Sequence, residues 1–230
     1  MKPITLIQLS LFTTAISAHW RRASQPETNL NLAAAGNNTV VHTSFASSQE
    51  LDPYTRCASN PTLAQRRVLD QFAREHDERQ NRENRVVEVY VHVVSTQSKR
   101  ARYNNAMLQN QITVMNDAFQ GTGFSFELVG FDSTVNEAWA KTSSGSREES
   151  DMKQALHRGR YQDLNLYFLS DLGGGLLGIC YFPTSNPSQQ MRILDGCINL
   201  ADSMPGGAAK YYDLGLTAVH EVGHVHHTLS

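Results

Sequence analysis

The chain has 230 residues, of which 40% are hydrophobic and 18% charged, enough to bury a real core as one large domain or two small ones. A formal net charge of −2 gives no reason to expect nucleic acid or an anionic membrane as partner. Function therefore has to be read from local features.

The first of these is at the start of the chain. Lys2 is followed by the apolar run Ile4–Phe12 and then by the small residues Ala15-Ile16-Ser17-Ala18. This order is that of a secretory signal peptide over residues 1–18, and the run is too short for a transmembrane span. The mature protein is expected to be secreted, extracellular and soluble. Residues 19–60, rich in Ser, Thr, Asn and Ala, read as a flexible prosegment or linker, and Asn37-Asn38-Thr39 within it is a glycosylation sequon. The sequons at Asn60 and Asn186 are blocked by proline.

Residues 61–85 open with Pro61 after Asn60 and continue as a charged amphipathic helix. Val86–Val94 is β-branched and almost unbroken, which predicts a strand buried on both faces. Met107, Ile112, Met115 and Phe119 fall at helical spacing, with Gly121 as the stop. Phe124–Val129 alternates as a strand, Glu148–His157 reads as a helix, and Leu164–Leu169 as a third strand. Two short strands are expected at Leu177–Phe182 and Cys197–Leu200, and a last helix from about Leu214. Gly173-Gly174-Gly175 lacks the Lys-Ser/Thr of a phosphate loop and reads as a turn. Strands alternating with helices of this length predict an α/β fold with a mostly parallel sheet and crossover helices.

Secretion changes the reading of the three cysteines, because an oxidising compartment allows pairing. A bridge between Cys180 and Cys197 would close a loop of seventeen residues, worth about 3 kcal/mol. Cys57 is then left over. It reads either as a prosegment thiolate that blocks a metal or as half of a bridge to a region outside this sequence.

The chemistry is concentrated in His220-Glu221-Val222-Gly223-His224. Two histidines four residues apart on a helix share one face, so both imidazoles can reach one Zn²⁺ at about 2.0–2.1 Å. Glu221, beside His220, can act on a metal-activated water as general base. Ala218-Val219 gives the helix a small apolar face for burial against a sheet. His42, His76, His92 and His157 lack ligand spacing and read as ordinary surface or sheet residues.

With these residues in view, the chain from about 86 to 224 resembles the secreted fungal members of the pappalysin family, a branch of the metzincin zinc metallopeptidases. The likeness is carried by Leu177–Pro183, Asp195-Gly196-Cys197, Pro205-Gly206-Gly207 and Tyr212–His224. It implies the upper subdomain of a metzincin catalytic domain over 61–230, with a twisted, mostly parallel sheet, backing helices and the zinc helix at its C-terminal end. It also implies a Cys180–Cys197 disulfide, zinc as cofactor, extracellular proteins or peptides as substrates, and a sheet edge along which an extended peptide binds.

The sequence departs from the family pattern after His224. Metzincins continue His-x-x-Gly-x-x-His, whereas His227 stands here at the glycine position and Ser230 at the third-ligand position. The expectation is a catalytic domain truncated after the zinc helix. His227 shares the helix face of His220, but continued helix places their α-carbons about 10.5 Å apart, too far to share one ion. A bent C-terminus would bring His227 inward as a substitute ligand; otherwise a surface tail is the expected role of that stretch. The two function readings are accordingly a secreted zinc endopeptidase and an impaired fragment acting at most as a peptide-binding module.

Overall fold

A computed structural model describes residues 85–226, with side chains through His224. The signal segment, residues 19–60 with Cys57 and the Asn37 sequon, the stretch 61–84 and the His227 side chain lie outside the described residues.

Strand β1 (Arg85–Ser95) is the run of branched residues read from the sequence. Its first two residues are exposed and Glu88 and Tyr90 are half-buried, so one face is buried from Val87 but both faces only over the last five residues, from Val91. Helix α1 (Asn105–Ala118) starts where the Asn104 side chain accepts from the Met107 N–H at 3.2 Å. It buries Met107, Leu108, Ile112 and Met115 against the sheet. Strand β2 (Phe124–Val135) runs six residues beyond the expected Val129. Gly130 and Asp132 are poor strand formers, and it is the continuous pairing with β1 that extends the strand through them. A bulge at Val129 shifts the register between Val89 and Tyr90, and Gly130 makes room there for the Tyr90 ring.

A single-turn helix α2 (Glu137–Ala140) follows, and then α3 (Arg147–Leu156). Helix α3 begins with a reciprocal cap. Ser146 Oγ accepts from the Glu149 N–H at 3.1 Å, and the Glu149 carboxylate accepts from the Gly145 N–H at 2.6 Å. Strand β3 (Leu164–Leu169) is buried at every residue and sits in the middle of the sheet. The remaining elements are the short β4 (Gly178–Cys180), α4 (Gln189–Ile193), β5 (Cys197–Leu200) and α5 (Leu216–His226).

The five strands lie in the order β2-β1-β3-β5-β4. All pairings are parallel except β4 against β5, so the sheet is mostly parallel with one antiparallel edge strand. That architecture is the α/β fold expected from the alternation of elements. One face carries α1 and α5, and the core between them and the sheet includes Val89, Val91, Leu166, Phe168, Met115, Met204, Ala218 and Val222. No helix among the described residues is long and apolar enough to cross a membrane.

Candidate metal centre

The start of α5 is fixed by its neighbours. Gly215, at φ +77°, occupies the left-handed region, which a side chain would strain. Its N–H donates to the Ser203 carbonyl at 3.0 Å, and its carbonyl accepts from Gln111 Nε2 of α1 at 2.8 Å. The Pro205-Gly206-Gly207 turn that leads here is equally constrained, since a Cβ on Gly207 would run into the Asp202 carbonyl. From this anchor the helix buries Ala218, Val219 and Val222 and packs against β4, β5 and α1.

His220 and His224 are half-buried on the same side of α5. Their Nε2 atoms are 3.2 Å apart, and the rings meet nearly at right angles with centroids 4.7 Å apart. A tetrahedral ion with nitrogens at about 2.0–2.1 Å separates its ligands by about 3.3 Å, so this pair fits two corners of a zinc site. Burial pulls His220 below the ordinary imidazole range, which favours the neutral form that a metal ligand needs. The Phe182 ring, just after β4, packs edge-on against His224 with centroids 6.1 Å apart and limits its rotation. Among the described residues, no group of three or more His, Cys, Asp or Glu side chains could hold a metal. The pair is therefore a two-nitrogen set.

Glu221, next to His220 on the helix, is completely buried. It lies against the edge strand. A Cβ built on Gly178 would be 2.7 Å from Glu221 Cγ and 3.1 Å from Glu221 Oε1, so only glycine leaves the carboxylate its place. An isolated glycine inside the strand pattern Leu176-Leu177-Gly178-Ile179-Cys180 is the signal that could have disclosed this approach from sequence.

Cys180 and Cys197 face each other across β4 and β5, with Cα atoms 4.1 Å apart, and form a disulfide. Both of its flanks are gripped by α3. Tyr181, after Cys180, donates its hydroxyl to Glu149 Oε2 at 3.0 Å. Lys153 Nζ donates to the carbonyls of Leu194 at 2.7 Å and Gly196, before Cys197, at 3.3 Å. Lys153 and Glu149 are both fully buried and form an ion pair at 3.2 Å, with the ammonium 4.5 Å from the centre of the Tyr181 ring. Burial lowers the Lys153 pKa, while Glu149 pulls it back up. Sequence reasoning missed this cluster, because an i,i+4 Glu–Lys pair reads as a solvated helix face.

His92 is a sheet residue, as expected, but not a bland one. It is buried, with Nδ1 2.8 Å from Asp132 Oδ2, Nε2 3.0 Å from Asn165 Oδ1, and its ring stacked on Tyr167.

The structure thus sets a metal-fitting pair of imidazoles on a helix packed against a mostly parallel α/β sheet with an antiparallel edge strand. No family model matches the chain. An extracellular metalloprotease of Arthroderma benhamiae is 46% identical over 141 residues, covering 61% of this chain and 46% of that protein. One of Pyricularia oryzae is 49% identical over 140 residues, covering 60% and 48%. One of Podospora anserina is 41% identical over 213 residues, covering 85% of this chain and 71% of that protein. The chain belongs to the family of fungal extracellular metalloproteases, and it spans about half the length of the first relatives it matches. Among solved structures, a promirolysin variant of Tannerella forsythia has a similar fold, with a TM-score of 0.54, 22% identity, and coverage of 73% of this chain and 67% of that one.

Proposed function

We propose that this chain carries the zinc-binding helix and substrate-edge strand of a secreted zinc endopeptidase of the pappalysin branch. The observation that supports this best is the 3.2 Å convergence of the His220 and His224 Nε2 atoms beside the buried Glu221. His220 and His224 are the ligands in this reading, and Glu221 is the general base. Zinc held there would supply a Lewis acid that polarises the scissile carbonyl and acidifies water.

The chain's own residues do the rest. Glu221 accepts the proton of the attacking water and returns it to the leaving amine, a two-way transfer for which a buried, fixed carboxylate is suited. Among the described residues, strand β4 pairs with β5 on one side and ends the sheet on the other. An extended substrate would add there as a further strand, its main chain bonding to β4 near the imidazoles. The disulfide ties the last residue of that strand to β5, and the Lys153–Glu149 pair grips Tyr181 after it and the Leu194 and Gly196 carbonyls before β5. Residues 1–18 act in this reading as a signal peptide, 19–60 as a prosegment or linker and 61–230 as the catalytic portion.

Metal analysis combined with casein cleavage by the purified chain tests the proposal. Stoichiometric zinc, with cleavage that disappears in Glu221→Ala, is the expected result. A chain that takes up no zinc and cleaves nothing overturns it.

A further inference from the structure

Beside Glu221 lies a second buried polar side chain that this function does not use. Asn199 of β5 stands directly opposite Gly178 of β4 in the sheet register and beside Phe168 of β3. It has no exposed surface, and neither its Nδ2 nor its Oδ1 has a hydrogen-bond partner among the described residues. An amide buried in that state has lost its bonds to water without replacement, which a fold tolerates only where a partner is near.

The partner is defined by Gly178. A point one Cβ above that glycine is 3.1 Å from Asn199 Oδ1 and 3.1 Å from Glu221 Oε1. The amide and the carboxylate therefore lie within twice that distance of each other, across a space that no side chain of Gly178 fills. A half-turn about the terminal torsion of Asn199 brings Nδ2 to the position of Oδ1, and that torsion is soft. The gap then closes by a small rotation or by one water, which finds polar partners on both sides. An ionised carboxylate accepts at about four sites, so it can take this donor in addition to its other contacts.

We propose that Asn199 is a positioning residue for Glu221: its amide donates to the Glu221 carboxylate across the bare α-carbon of Gly178, directly or through one water, and holds the carboxylate in the rotamer used for proton transfer. The role in proton transfer rests on the protease reading, whereas the pairing itself does not.

The test is a double-mutant cycle on urea unfolding of the metal-free chain with Asn199→Leu, Glu221→Met and the pair, two substitutions close in volume to what they replace. The expected result is a midpoint loss in the double variant clearly smaller than the two single losses combined. The second measurement is the ¹H–¹⁵N signal of the Asn199 side-chain amide, which is expected to move in Glu221→Gln, a change that preserves shape. In the zinc-loaded chain, Asn199→Leu is expected to lower kcat for casein about 10- to 100-fold with KM unchanged. Additive losses and an amide signal indifferent to Glu221→Gln would overturn the proposal, and so would an unchanged kcat. Coupled losses among the variants, with a wild-type chain that binds no zinc and cleaves nothing, would retain the pairing and remove the protease reading instead. If Glu221→Met fails to fold, the amide signal in Glu221→Gln decides alone.

Discussion

The side chain of Glu221 fills the space that a β-carbon on Gly178 would need, at 2.7 Å from Glu221 Cγ. The glycine belongs to the edge strand β4 and the glutamate to α5, so one missing methyl group sets how closely these two elements approach. Gly178→Ala must push the carboxylate aside or move the strand, and Asn199, 3.1 Å from the same point, blocks one way out. The expected cost is about 1–3 kcal/mol in urea unfolding, with a loss of casein cleavage of at least about tenfold. Gly223 supplies the contrast on the same helix. A Cβ there meets nothing within 4 Å, so Gly223→Ala is expected to raise stability by about 0.5–1 kcal/mol through helix propensity.

The two imidazoles make a separate prediction about metal. His220→Ala or His224→Ala removes one of only two nitrogens in the pair, and each variant is expected to lose stoichiometric zinc by isothermal titration. Glu221→Gln retains both imidazoles, and on the proposed reading it is expected to bind zinc while losing turnover. Retained zinc in His224→Ala would show that the metal sits elsewhere.

Much of this arrangement was legible in the sequence, because periodicity reports burial. The runs at Val86 and Leu164 are dominated by apolar residues and form interior strands of the sheet, and the i,i+4 histidines fall on one helix face because helix geometry admits no other outcome. The second half of β2 is not legible in the sequence because Gly130 and Asp132 interrupt the alternation, and pairing with β1 keeps it extended. Asn199 was invisible for a different reason: it lies inside a strand of four buried residues, and no local pattern states what stands opposite an asparagine. Glu149 and Lys153 were legible as a pair but not as buried, since that follows from Tyr181 and the Leu194–Gly196 turn, distant in sequence, closing over them.

That burial fixes the next expectation. Lys153→Met leaves Glu149 enclosed without its cation and leaves the carbonyls of Leu194 and Gly196 without their donor. Loss of one member of a fully buried pair costs about 3–5 kcal/mol. The double variant Glu149→Gln, Lys153→Met is expected to recover most of that loss, because it removes the stranded charge while preserving volume. Chemical denaturation of the three variants checks this, and a fully additive double loss would mean that the pair is not coupled.

Asp195 gives stability a pH dependence that can be read against one substitution. Burial pushes its pKa up to about 6 from 3.8, although the Gly196 N–H and the charge of Lys153 both act to lower it. The folded chain therefore holds the Asp195 proton more tightly than the unfolded chain does. The resulting stabilisation is complete below about pH 4, and it is lost as pH rises through about 6. Its size is of the order of 1–3 kcal/mol for a shift of this extent in a buried group. Asp195→Asn is permanently neutral and is expected to lack this decline. The difference in unfolding free energy between variant and wild type should move in favour of the variant from pH 4 to pH 7 and stay level above that. Taking the difference cancels the carboxylates common to both proteins, and urea titrations at unit pH steps resolve it. A difference that does not change across the window would mean that Asp195 ionises in the fold as it does in water.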